Sequence, residues 1–133
     1  MAEEPLPARD VSFMSRYPEV FGPGPWHDQP TPIRYGLGIA DGWMPLLDRL
    51  CEDLVRIIRK DRLTRFRVVQ VKEKFGSLRV HAKGGNRRTR DIIDAADRES
   101  SGMCERCGSH GKTVNEEDWW RTLCKCCQGE SKR

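Results

Sequence analysis

Cys104, Cys107, Cys124 and Cys127 form two Cys-x2-Cys pairs with sixteen residues between them, a spacing that lets four thiolates converge on one ion at about 2.3 Å. A shell closed by four sulfurs has no place for water or substrate, so the expected ion is a single structural Zn2+ and not a Lewis acid. Gly108, directly after the second cysteine, suits a knuckle in which backbone amides turn toward the thiolates. Cys126 competes with Cys127 for the fourth place. The x2 spacing of the first pair favours Cys127, with Cys126 as substitute ligand. His110 is expected to be an exposed loop residue, and Cys51, which falls on an apolar helical stripe, a buried small hydrophobe.

A second constellation is cationic. Residues 62–90 carry Arg62, Arg65, Arg67, Lys72, Lys74, Arg79, Lys83, Arg87, Arg88 and Arg90 against the single acid Glu73. Such a field steers a polyanion or an acidic protein face. It equally suits a solvated strand edge kept from aggregating by its charges. Trp119 and Trp120 precede the second cysteine pair, where one is expected to cover the zinc and the other to stand exposed as a contact residue. Trp26 lies in a proline-rich stretch, as an anchor either for that stretch on its own domain or for a partner. No Gly-rich phosphate loop or nucleophile elbow is present, and His27, His81 and His110 lie in unrelated segments, so no enzyme is expected. A zinc-stapled nuclease of the His-Asn-His type ranks last, because it needs a histidine base on a hairpin and a helix-borne metal ligand after it, and six residues follow Cys127.

The elements that must hold these groups are legible in part. Residues 1–10 read as a loose tail, 11–17 as a short helix stopped by Pro18, and 22–32 as an irregular arm stiffened by four prolines. Residues 33–40 read as extended, and Asp41 as the cap of the clearest helix. In that helix Leu46, Leu47, Leu50, Cys51, Leu54, Ile57 and Ile58 recur at helical spacing, to be buried against a sheet. Two strands follow over 66–75 and 78–83, with Val69, Val71 and Phe75 expected on one face of the first and Leu78, Val80 and Ala82 on that of the second. A second helix over 89–101 places Ile92, Ile93, Ala96 and Ser100 inward. The expected fold is α+β: two helices packed on a small antiparallel hairpin sheet, with a C-terminal zinc-knuckle, ribbon-like module. The expected division is 1–32 tail and arm, 33–102 core, and 103–133 zinc module.

Composition sets the bounds. A chain of 133 residues with 37% hydrophobic and 33% charged side chains and a mean hydropathy of −0.71 builds a modest core that a metal clip supplements. Residues 1–60 carry seven basic and nine acidic groups, and residues 61–133 seventeen and eleven, so the positive charge gathers in the second half. Cys-x2-Cys pairs without a cleavable leader or a membrane-length apolar run read as reduced thiols of a cytoplasmic protein.

The chain resembles a set of small proteins encoded by bacteriophages and prophages. The resemblance rests on Asp41-Gly42-Trp43, on the run from Val71 to Arg79 (VKEKFGSLR), on Cys104-Glu-x-Cys107-Gly, and on Trp120-Arg121-Thr122-Leu123-Cys124, and it covers about residues 33–127. In that set the last ligand is often histidine at the place of Cys127, which supports Cys127 over Cys126. The proline-rich arm and Cys126 depart from the pattern. The resemblance implies a phage accessory protein in a bacterial host cytoplasm, without a small-molecule substrate or a membrane, and it carries no assigned activity. The resulting expectation is a binder that redirects or inhibits a host protein, through Trp26, Trp119 or Trp120 and the basic hairpin. The alternative is a DNA- or RNA-binding zinc module using 62–90.

Overall fold

The 17-residue helix that the periodicity marks out, α3 (Met44–Lys60), buries Leu46, Leu47, Leu50, Cys51, Leu54 and Ile58. These side chains form one cluster with Val68, Val71, Leu78 and Val80 of the sheet and with Phe13, Met14, Val20 and Phe21 of the N-terminal segment. The computed structural model describes residues 5–131, as α1 (Ala8–Ser15), α2 (Pro18–Phe21), β1 (Leu37–Gly38), α3, β2 (Arg67–Lys74), β3 (Ser77–Lys83), α4 (Arg87–Ser100), β4 (Lys112–Glu116), β5 (Trp119–Leu123) and α5 (Lys125–Ser131), with short 3-10 turns at Trp26–Asp28, Pro32–Tyr35 and Asp41–Trp43. The α+β class is as expected. Among the described residues no helix is long and apolar enough to cross a membrane.

The N-terminal third differs from its reading as tail and arm. Pro18 does end α1 early, at Ser15, but it then opens α2 as a first-turn proline. Phe13, Met14, Tyr17, Val20, Phe21 and Trp26 are all at most 8% exposed in the central core. Trp26 therefore anchors the arm on its own domain and is withdrawn as a partner contact. Part of the supposed loose tail is also fixed. Asp10, 2% exposed, accepts the Leu37 N–H at 2.8 Å. Arg9 donates to the carbonyls of Leu37 and Ile39 and to the Asp41 carboxylate. The two side chains thereby stand where a further strand would bond to β1.

The extended stretch expected over 33–40 reduces to β1, two residues that pair in parallel with β2, Leu37 opposite Val71, so the sheet has the order β1-β2-β3 and is mixed, not purely antiparallel. Asp41 does not cap α3; it opens the 3-10 turn before it and binds Arg9. In β2 a register shift between Val68 and Gln70 leaves Val69 as an extra residue, which turns Val68, not Val69, into the core alongside Val71. The hairpin turn is Phe75-Gly76, both at positive φ, the two-residue primed turn that matches strand twist. Phe75 is thus 63% exposed and does not join the inner face. Leu78, Val80 and Ala82 face inward as expected. α4 starts two residues earlier than read, because Asn86 and Thr89 exchange side-chain and backbone bonds in a capping box. It ends where Ser100 Oγ accepts the Leu78 N–H at 2.7 Å.

Candidate metal centre

α4 ends at Ser100, and the chain then folds into a tight loop. The Cys104 N–H donates to the Ser109 carbonyl at 2.7 Å and the Gly108 N–H to the Cys104 carbonyl at 2.8 Å, with Gly108 at φ +82°. That is the expected knuckle, and it presents Cys104 and Cys107. The β4–β5 hairpin, turning at Glu117-Asp118, returns the chain so that Leu123 lies opposite Lys112. Cys124 follows, and Cys127 lies in the first turn of α5, its N–H 3.5 Å from Cys124 Sγ. The second pair thus sits at a helix start and not on a second knuckle, which departs from a ribbon.

The four sulfurs of Cys104, Cys107, Cys124 and Cys127 all lie within 4.8 Å of one another, with Cys107 and Cys124 at 3.6 Å. Tetrahedral coordination at 2.3 Å sets neighbouring sulfurs about 3.8 Å apart, so this group could hold one metal ion with small adjustments. Cys127 is 7% exposed and packs with Cys104 and Leu123. Cys126 is exposed and lies outside the group, as does the exposed His110. Cys51 is buried in the main core, and burial pushes its thiol pKa up.

The sulfurs are electrostatically unequal. The hydroxyl and amide of Ser109, with the neighbouring thiols, lower Cys107 to about 6. Burial opposes ionisation of Cys104, but the amides of Cys124, Cys107 and Arg106 outweigh it and lower its pKa. Cys127 is pushed up, by burial and then by the three thiols around it. Sulfurs this close cannot all become anions unaided, and a divalent cation supplies the charge that lets the last proton leave.

The loop is bonded to the core at several points. The Gly42 N–H donates to the Glu105 carbonyl at 2.9 Å, and the Trp43 indole N–H to the Met103 carbonyl at 2.9 Å. A Cβ on Gly42 would meet the Cys104 carbonyl oxygen at 2.2 Å, so only glycine allows this approach. Glu105 bonds Thr122 twice, amide to carbonyl and carboxylate to amide, and Thr122 Oγ1 donates to the Gly76 carbonyl at 2.6 Å. The two hairpin regions are tied together there. The roles of Gly42 and Glu105 were not legible beforehand; the Asp-Gly-Trp and Cys-Glu segments are 60 residues apart and nothing local pairs them.

Trp119 and Trp120 are 65% and 43% exposed. Neither is buried over the sulfurs, because β5 carries them toward the hairpin turn and away from Cys124. Trp119 lines an open groove of about 670 Å³ with Leu37, Ile39, Glu73, Glu105 and Arg121. Phe75, expected inside, joins them as an exposed aromatic; its place in a two-residue Phe-Gly turn was the available signal. The cations of 62–90 do not form one surface. Lys72, Lys74 and Arg79 lie along the hairpin, Arg79 paired with Asp97 and Lys74 over the Phe75 ring. Arg67 and Lys83 pair at its open end, where the 62–66 loop and the 84–90 segment meet. No protein-family model, curated protein or solved structure matches this chain.

Proposed function

We propose that this chain is a non-enzymatic accessory protein of the phage type, which binds a bacterial host protein in the cytoplasm and redirects or inhibits it, with one structural zinc on Cys104, Cys107, Cys124 and Cys127 shaping its contact end. The all-sulfur donor set supports zinc over hard cations, and a closed shell supports a structural role. The observation that carries the reading is the exposure of Phe75, Trp119 and Trp120, at 63%, 65% and 43%. All three stand at or beside the turns of two hairpins that the Thr122–Gly76 bond holds together. Each such ring has roughly 150–250 Å² to bury, and tryptophans on a rigid base are the usual energetic centre of a protein interface.

Zinc-loaded protein immobilised in nuclease-treated bacterial lysate at high salt is expected to retain one host protein, which purified components then reproduce. Trp119→Ala with Trp120→Ala is expected to lower its affinity by roughly one and a half to three orders of magnitude, about 2–4 kcal/mol, at unchanged zinc content. Retention that survives the double substitution, or that vanishes on nuclease treatment, overturns the reading.

A further inference from the structure

Seven cations gather at the end of the sheet opposite the metal centre. β2 runs from Arg67 to Lys74 and β3 returns from Ser77 to Lys83, so the Arg67–Lys83 end lies roughly 23 Å from the Gly76 turn that bonds to the metal-bearing hairpin. A Cβ on Gly84 would lie 2.2 Å from the Arg65 carbonyl oxygen, and one on Gly85 against the Phe66 ring. The segment carrying Lys83, Arg87, Arg88 and Arg90 is thereby pressed against the one carrying Arg62, Arg65 and Arg67. Within 61–90 the only acids are Asp61 and Glu73, and Glu73 lies at the other end, accepting the Gly76 N–H.

The charges are not arranged for the stability of the free protein. Arg67 and Lys83 are direct cross-strand partners, and like charges so placed destabilise a sheet. The first turn of α4 has no acid; it carries Arg87, Arg88 and Arg90, which add to the positive end of the helix dipole instead of offsetting it. Asp61 answers Arg88 and Asn86, and Asp91 and Asp94 follow along α4. Even so, among the described residues Arg62, Arg65, Lys83, Arg87 and Arg90 enter no ion pair. Arg67 is half-buried, with its guanidinium packed on Gly22 and its Nε enclosed, so it adds charge to this end but no phosphate contact. No large exposed apolar side chain belongs to 62–67 or 83–90, so an interface here lacks the apolar centre that a protein partner requires. Arginine forks match phosphate oxygens.

We infer that this end of the molecule binds the backbone phosphates of duplex nucleic acid, without reading sequence, as a second contact surface independent of the aromatic one. The inference does not rest on the proposed protein partner, and the two are tested by different side chains.

Zinc-loaded protein titrated into a fluorescent DNA duplex should show an affinity that falls linearly with salt on logarithmic axes, with a slope of roughly −3 to −5 for four or five phosphates. Arg65, Arg87 and Arg90 are exposed, and replacing all three by Ala should leave the melting temperature in place or raise it while reducing the slope by roughly 1 per lost contact. The corresponding Lys triple variant should recover most of the affinity, and Trp119→Ala with Trp120→Ala should not alter it. The inference is overturned by any of four results: no duplex binding at low salt, equal binding by the Ala triple variant, an equal loss in the tryptophan variant, or tighter binding to polyglutamate than to the duplex. The last would reassign the surface to an acidic protein.

Discussion

At the scale of single residues, the adjacent Cys126 and Cys127 differ in everything but element. One is exposed and outside the sulfur group, while the other is 7% exposed and packed on Cys104 and Leu123. Cys126→Ser should keep one zinc per chain and the wild-type melting temperature. Cys127→Ser should lose stoichiometric zinc and much of the site's folding contribution, on the order of 10 kcal/mol for a complete site; equal zinc content in the two proteins, measured by elemental analysis, would refute the assignment. The unequal thiols also set a pH dependence. Because Cys127 is pushed up, its proton must leave on binding throughout the neutral range, so affinity rises with pH there. Because Cys107 sits at about 6, it adds a further proton to the competition only below that value. Chelator competition across this range should therefore show zinc affinity falling more steeply with acidification below pH about 6 than above it.

At the scale of elements, β1 illustrates how short a strand can be when side chains stand in for its neighbour. Its two residues bond β2 on one side, while Arg9 and Asp10 occupy the backbone groups on the other, which also closes an edge that would otherwise recruit another chain. Asp10→Ala leaves the Leu37 N–H without its acceptor and the Arg9 guanidinium without its buried carboxylate. A loss of about 2–4 kcal/mol is expected by denaturant unfolding, and a loss under 0.5 kcal/mol would mean that this segment does not hold β1. The turn before α3 is constrained differently. Gly42→Ala places a methyl group inside the Cys104–Glu105 backbone, so the substitution should separate the sulfur-bearing loop from the core. Lower thermal stability together with weaker zinc retention is the expected outcome; unchanged zinc affinity would show the loop to be independent of that contact.

At the scale of the whole molecule, the sulfur site and the core should act as one cooperative unit, since Gly42, Trp43, Gly76 and Leu78 all bond to residues in or just before the cysteine-bearing segment. Chelation is therefore expected to raise amide exchange at Gly42 and around the Phe75-Gly76 turn as well as in 103–127. Loss of protection confined to 103–127 would contradict that coupling. Much of this plan was readable from local pattern. The cysteine spacing marked the four sulfurs that converge, the 3.6-residue stripe marked α3, and alternation about Gly76 marked the hairpin, because each is a pattern carried by a short run of chain or a pair of matching short motifs. Tertiary structure alone decided the rest. It drew the aperiodic, proline-rich N-terminal third into the core, inserted a two-residue strand paired across more than thirty positions, and shifted the buried face of β2 by one bulged residue. It also left Phe75 and both C-terminal tryptophans outside, and it divided ten cations between two ends of a sheet. Those outcomes depend on what lies opposite each residue in space, and neither periodicity nor composition carries that information.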